Sequence, residues 1–273
     1  MNLLGATQDI ATDGLAVNIL KGEQQHWGNT FQVIGSRLGF IVGGGAILWA
    51  LDWLSWQSTF LMLAAIVFIN TLPILIYPEP KHRAVSEAQP TPFNLQQIKN
   101  YLAYFVQSPL LAAWLAVLLS FKIADGLAGP LLKPLMVDLG LSFSQIGLYV
   151  TMLGACAALI GAGLAGYSLK LIRRATALVL YSVLKIFSLA AYTWLAFQYE
   201  NQHSIQPWLI YLINAFEDMT SSMLLVVMLT LVMQYSRKHL AGTDFTFQVA
   251  LMATVSGVFF CAFLYLLSRS YGS

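Results

Sequence analysis

Hydrophobic residues run through this chain in long blocks rather than alternating with polar ones. Eight blocks stand out, at roughly 1–20, 29–51, 56–77, 109–137, 144–168, 175–198, 207–235 and 244–268. A helix needs about 20 mostly apolar residues to cross the hydrocarbon of a bilayer, and each block reaches or approaches that length. Helix is forced over strand, because an open strand in lipid leaves its backbone groups without partners. The pattern therefore predicts about eight transmembrane helices. The first block is the least apolar, since Gln8, Asp9 and Asp13 interrupt it. Between the third and fourth blocks, Pro78, Pro80, Pro90 and Pro92 break the chain and Glu79, Lys81, Arg83 and Glu87 keep it wet. Thr91-Pro92 has the form of an N-cap followed by a first-turn proline. After it, Leu95, Ile98, Leu102 and Phe105 recur at the spacing of an amphipathic surface helix. Ser142 and Gln145 have the spacing of a capping box at the start of the fifth block.

Composition agrees with this picture. Of 273 residues, 58% are hydrophobic and only 10% are charged, with a mean hydropathy of +0.69. An average soluble domain carries about 25% charged residues, so there is too little polar material to face water all round. The lipid bilayer is the expected partner. Fourteen basic residues against twelve acidic give no basic face for a nucleic-acid backbone. Cys156 and Cys261 lack metal or redox spacing. His26, His82, His203 and His239 all fall between the blocks, which leaves haem or an intramembrane metal without ligands. There is no GK[ST] phosphate loop for ATP. No cofactor and no enzyme activity are expected.

The basic residues set an orientation. If 78–108 is cytoplasmic, the loops on that side hold Lys21, Lys81, Arg83, Lys99, Lys170, Arg173, Arg174, Arg237 and Lys238, nine of the fourteen. The turns on the other side, near Asp52, Asp138 and Glu200, hold none between helices. This is the positive-inside pattern. It puts both ends of the chain outside. Trp49, Trp53 and Trp56 cluster at one outer turn, and Trp194 and Trp208 flank another, as interfacial aromatics do.

One stretch of the chain repeats. Thr30-Phe31-Gln32-Val33 opens the second block and Thr246-Phe247-Gln248-Val249 opens the eighth. Each follows an acidic block, with Asp9 in the first and Glu217-Asp218 in the seventh, and each follows a basic inner loop. A parallel repeat of this kind marks transporters whose two six-helix halves are related by an axis along the membrane normal. On equal halves, the blocks are helices four to eleven, lacking three at the start and one at the end. The expected organisation is 1–77 as the last three helices of an N-terminal half, 78–108 as a cytoplasmic linker with its amphipathic helix, and 109–273 as a C-terminal half without its last helix.

Three segments carry a resemblance: Ala6-Thr7-Gln8-Asp9-Ile10-Ala11-Thr12-Asp13-Gly14, Gly126-Leu127-Ala128-Gly129-Pro130-Leu131, and Gly242-Thr243-Asp244-Phe245-Thr246-Phe247-Gln248. They resemble the major facilitator superfamily, and within it the branch of AmpG-type muropeptide permeases and rhizobactin/pyochelin-type siderophore permeases. The Thr-Asp-Phe-Thr block looks closer to the siderophore members. The resemblance implies an all-α, polytopic membrane protein with a major-facilitator-like helix bundle, here incomplete. Gly166-Tyr-Ser-Leu-Lys170-Leu-Ile-Arg173-Arg174 is similar to the superfamily's inner-loop motif between helices eight and nine, but lacks its usual acidic residue. That leaves a latch and a plain topology-setting charge both open.

A carboxylate in mid-bilayer costs about 2.5–3.5 kcal/mol, so it faces a cavity or a partner. Asp9 and Asp13 share a helix face by their i,i+4 spacing. Asp13 lies seven residues before Leu20 and Arg37 eight after Asn29, so an Asp13–Arg37 ion pair is expected, with Asp9 freer to exchange a proton. A static clamp is the plainer reading. Glu217 and Asp218, being adjacent, cannot share a face; one is expected toward the cavity. Lys122 and Asp125, at i,i+3, read either as a self-neutralising pair or as a gate hinge loosened by Gly126, Gly129, Pro130 and Pro134. Gln8, Gln32 and Gln248 suit a polar solute, or serve as interhelical glue. Gly35, Gly39 and Gly43, and the row Gly154, Ala158, Ala162 and Gly166, read as close-packing stripes; the resemblance implies that these two helices face each other across the halves.

The reading is a monomeric inner-membrane permease importing a siderophore or similar bulky polar solute with protons. Asp9, Asp13, Arg37, Glu217 and Asp218 would couple proton to solute; Gln8, Gln32, Lys122, Asp125 and Gln248 would line the cavity. The alternatives are a muropeptide permease and a truncated, non-transporting membrane protein. The chain by itself is expected not to transport.

Overall fold

The computed structural model describes residues 2–46, 54–76, 95–142 and 145–271, which are helical with no strand among them. In chain order the helices are α1 (Asn2–Ile19), α2 (Gln25–Phe40), α3 (Trp56–Ile76), α4 (Leu95–Tyr104), α5 (Pro109–Phe121), α6 (Ile123–Asp138), α7 (Leu153–Leu171), α8 (Arg174–Glu200), α9 (Pro207–Tyr235) and α10 (Ala241–Tyr271). Wider π-type turns extend α2 through Ile41–Ala46 and precede α7 at Ile146–Met152. The chain divides into two compact units, Met1–Leu38 with Ala116–Ser273, and Gly39–Leu115.

Six helical stretches are long and apolar enough to cross a membrane: those containing α3, α5 with α6, α7, α8, α9 and α10. The other two expected spans do not reach that standard among the described residues. Helix α1 has 18 residues and carries Gln8, Asp9 and Asp13, while 29–51 runs into residues 47–53, outside the described ones. The proline-rich part of the linker, Thr91-Pro92 and the outer tryptophans Trp49 and Trp53 also lie outside them. The expected surface helix forms as α4.

The apolar surface is turned outward. In the smaller unit, α3 exposes Phe60, Leu61, Phe68, Leu75 and Ile76, the last at 80%. Helix α8 exposes Val179, Ile186 and Phe187. Apolar patches on this scale are not left open to water; lipid satisfies them.

Helix α9 is the axis of the larger unit. Its Ile210, Val226, Val227, Met228 and Val232 are wholly buried. Against it lies the small-residue row of α7, with Gly154, Ala158, Gly161, Ala162 and Gly166 all buried. A Cβ on Gly161 would sit 2.3 Å from the carbonyl oxygen of Met219, so the two backbones touch there and only glycine fits. At Gly166 a Cβ would meet the Thr30 side chain, which brings α7 against α2. The other stripe behaves differently: at Gly35, Gly39 and Gly43 it would meet nothing within 4 Å among the described residues. Gly14 and Gly242 bring α1 against α10 in the same close manner. At the far end, Met136, Leu141, Ile146, Val150, Tyr192, Leu195, Ile210 and Ile213 close a compact cluster.

Local signals are realised where they act over one turn. Ser142 N–H donates to Gln145 Oε1 at 2.9 Å and Gln145 N–H to Ser142 Oγ at 3.2 Å, the reciprocal capping box. The α5–α6 stretch breaks at Lys122, where φ is −95° and ψ 2°, and not at its glycines and prolines. Pro130 and Pro134 sit inside α6 without ending it. Gly126 is a contact point: a Cβ there would lie 2.5 Å from the Ser256 carbonyl oxygen of α10.

A candidate solute path lined with buried charges

The turn between α1 and α2 decides how their polar residues align. Helix α2 starts at Gln25, four residues before the apolar block that announced it. Asp13 lies six residues before Ile19, and Gln32 seven after Gln25, so these two are level. Accordingly Gln32 Nε2 donates to Asp13 Oδ1 at 3.1 Å. Arg37 is five residues further along, about 7.5 Å at 1.5 Å per residue, and makes no ion pair with Asp13. This corrects the expected Asp13–Arg37 pair: the error was in where α2 begins. Arg37 instead acts electrostatically on Asp218 of α9. Gln8 and Asp9 are exposed on α1, and the Gln8 carbonyl accepts from Thr12 Oγ1 at 2.9 Å.

In the α6–α10 half a chain of charges runs from helix to helix. Lys122 Nζ meets Asp125 Oδ2 at 2.7 Å, the expected i,i+3 pair. Asp125 also reaches Lys185, which hydropathy alone does not mark: Lys185 Nζ lies 3.1 Å from its Oδ1. Lys185 is bonded in turn to Glu217 Oε1 and, at 2.5 Å, to Ser221 Oγ. Ser221 Oγ donates to Glu217 Oε1 at 2.8 Å. Two lysines and two carboxylates from α6, α8 and α9 thus form one neutral unit. Lys185 is only 8% exposed, and between Arg174 and Glu200 no other Lys, Arg, Asp, Glu or His occurs on α8. A single lysine in an apolar span was the signal that could have found it.

Glu217 and Asp218 diverge, as adjacent helical residues must. Glu217 turns to α8. Asp218 turns to α7, where Gly154 makes room: a Cβ there would be 2.1 Å from Asp218 Oδ2. Asn214 Nδ2 donates to Asp218 Oδ2 at 3.0 Å and to the Val150 carbonyl oxygen at 3.1 Å. Its Oδ1 accepts from the Tyr192 hydroxyl at 3.0 Å. The Val150 carbonyl belongs to the π-type turn, whose widened backbone leaves carbonyls for side-chain donors.

Gln248 is a brace rather than a cavity residue. It is fully buried, and its Nε2 donates to the Ser236 hydroxyl at 3.1 Å and the Asp244 carbonyl at 3.1 Å. Asp244, also fully buried, is gripped by Arg237 through Nε, Nη2 and the backbone N–H at 2.8–2.9 Å. Gln32 and Gln248, alike in the repeated tetrapeptide, therefore do different jobs.

The basic loops gather at one end. Arg174 donates to Gln25 Oε1 at 3.1 Å, to Gln234 Oε1 at 2.7 Å and to the Gly22 carbonyl. It ties the start of α8 to the α1–α2 turn and to the last turn of α9, using amide and carbonyl acceptors where the inner-loop motif has a carboxylate. Deeper, Asn29 Nδ2 donates to Thr230 Oγ1 at 3.3 Å. Gly166 packs on Thr30, while Lys170 and Arg173 are exposed. His26 is 7% exposed, and its Nε2 has no hydrogen-bond partner. At the opposite end a cavity of about 660 Å³ is lined by Asp138, Tyr199, Glu200 and His203. No cluster of three or more metal-ligating side chains occurs among the described residues.

The sequence profile of the Major Facilitator Superfamily matches residues 2–268. The anhydromuropeptide permease of Escherichia coli (strain K12) is 28% identical over 254 residues, covering 91% of this chain and 49% of the relative. The putative transporter AmpG 4 of Rickettsia conorii is 24% identical over 202 residues, 72% of this chain and 49% of that protein. The chain spans about half the length of the curated relatives it matches. These names fall on the muropeptide side of the branch, so import of a siderophore gains no support.

Proposed function

Because the chain belongs to the Major Facilitator Superfamily, a family of multi-pass membrane transporters and not of enzymes, we propose that it forms the solute path of a permease for anhydromuropeptides, carried inward across the bacterial cytoplasmic membrane with protons. The support for the solute is the likeness to a named anhydromuropeptide permease across nine-tenths of the chain. The support for proton coupling is a set of half-buried carboxylates in the apolar helices: Asp125 and Glu217 share Lys185, Asp218 accepts from Asn214, and Asp13 accepts from Gln32. Such groups mark proton and substrate routes in membranes. The basic end is the cytoplasmic one by the positive-inside rule, and the contacts of Arg174 and Asn29 tie α1–α2 to α8 and α9 there. Solute enters near Asp138 and Glu200, reaches the charged groups, and is released when the Arg174 contacts part.

The test is uptake of radiolabelled anhydromuropeptide into cells that lack their own permease and express the complete gene product carrying these residues. Saturable uptake abolished by a protonophore is expected. Accumulation of a ferric siderophore and not of muropeptide would return the solute to the other side of the branch, and accumulation of neither would overturn the permease reading.

A further inference from the structure

Lys185 stands out because nothing in a solute-binding role requires it. It rises from α8 behind the carboxylates and shows only 8% of its surface, whereas the Lys122 and Asp125 side chains are about three-tenths exposed at 31% and 30%. Its ammonium is shared between Asp125 on α6 and Glu217 on α9. Around it the charges are Lys122 and Asp125 from the α6 side, and Glu217 and Asp218 from α9; α7 brings only Gly154, and the π-type turn before it the Val150 carbonyl, to Asp218 and Asn214. Asp218 lies beside this group on the α7 side of α9, where it accepts from Asn214 Nδ2 at 3.0 Å. The quartet of Lys122, Asp125, Lys185 and Glu217 therefore sums to zero, with two carboxylates competing for one buried ammonium.

We propose that Lys185 is the positioning residue of proton coupling: it joins Asp125 and Glu217 into a single one-proton unit. With both carboxylates ionised, the ammonium holds α6 and α9 to α8 together. When a proton from the aqueous path forms an O–H bond on one carboxylate, that carboxylate's hold on the ammonium weakens. Lys185 then turns wholly to the other, and one of the two ties between helices is released. No electron moves, and the proton leaves by the same carboxylate to the opposite side. This rests on the permease reading for its purpose but not for its electrostatics, since an unbalanced charge in a low-dielectric site is neutralised by protonation.

The charge arithmetic makes the test. Removing the ammonium by Lys185→Met leaves the quartet at −1, so one carboxylate must be protonated at neutral pH. The double variant Asp125→Asn with Lys185→Met is neutral again and needs no proton. Infrared difference spectra of the purified full chain in lipid report protonated carboxyl groups through their carbonyl stretch, shifted in heavy water. The expected result is a band in Lys185→Met that wild type and Lys185→Arg lack and that the double variant loses. If Lys185→Met does not fold, Lys185→Gln carries the same arithmetic. In the complete gene product, gradient-driven uptake should fall about tenfold in Lys185→Met, the equivalent of one pKa unit, while solute exchange without a gradient persists. A folded Lys185→Met with no such band, or a double variant that keeps it, overturns the proposal. The band does not depend on any solute, so its appearance without muropeptide uptake would count against the permease reading alone.

Discussion

Gly154 offers a sharp test of how α7 and α9 share a charged contact. An alanine there puts its Cβ 2.1 Å from Asp218 Oδ2 and 2.8 Å from Asn214 Nδ2, distances that require the carboxylate to leave. The Asn214–Asp218 hydrogen bond at 3.0 Å is then lost, and a bond to a charged acceptor contributes about 1.5–3 kcal/mol. Against this, glycine to alanine inside a helix gains up to about 1 kcal/mol. Gly163, on the same helix, has nothing within 4 Å of an added Cβ, so Gly163→Ala keeps the gain and loses no bond. The helix gain is common to both alanine variants and cancels, so they should differ by the lost bond, about 1.5–3 kcal/mol in unfolding free energy, when detergent micelles are titrated with dodecyl sulfate. Adding Asp218→Ala to Gly154→Ala removes the clashing group, and the cycle should show a favourable coupling of about 1–3 kcal/mol. Equal stability of Gly154→Ala and Gly163→Ala, or strict additivity in the cycle, would refute the contact.

Other outcomes follow from single contacts. Asp244→Ala removes the fully buried carboxylate that Arg237 grips through three hydrogen bonds and should cost about 3–5 kcal/mol, as breaking a buried pair does; Thr254→Ala, on an exposed face, serves as the near-neutral comparison in the same titration. Arg174→Ala removes the three contacts at the basic end and should raise amide hydrogen exchange of residues 21–26 above that of the wild type, with α9 unchanged. Burial, followed by the charges of Arg174 and Lys170, holds His26 below its ordinary imidazole range. The closed basic end disfavours the imidazolium, so its stability is full above about pH 6.5 and declines as pH falls below that value. Hydrogen exchange over 20–30 should therefore rise on acidification in wild type and stay flat in His26→Gln.

Much of the architecture was legible because its signals are either very local or very long. The Ser142–Gln145 box acts within one turn and formed as its spacing implied. The apolar blocks act over 20 residues and gave the helices. What failed lay between those ranges. Apolar residues set in at Asn29, yet Gln25, His26 and Asn29 are buried polar residues at a helix–helix contact, so hydropathy places the start of α2 one turn late. That turn moved the partner of Asp13 from Arg37 to Gln32. Lys185 was missed because one lysine barely lowers the mean of an apolar stretch, although its partners come from α6 and α9, far along the chain. Gln248 shares a tetrapeptide with Gln32 but not its setting: the Ser236 hydroxyl that accepts from it, twelve residues earlier, is matched by Leu20 in the other copy.

Whether the charged residues line a solute path is read most directly by substrate protection. In a background with Cys156 and Cys261 replaced by serine, the complete gene product would carry Asp13→Cys, Arg37→Cys or, on the outward face of α8, Phe187→Cys, and react in membranes with a thiol reagent. Anhydromuropeptide is expected to slow labelling at positions 13 and 37 and leave position 187 unaffected. Equal labelling with and without the solute at all three positions would contradict the path.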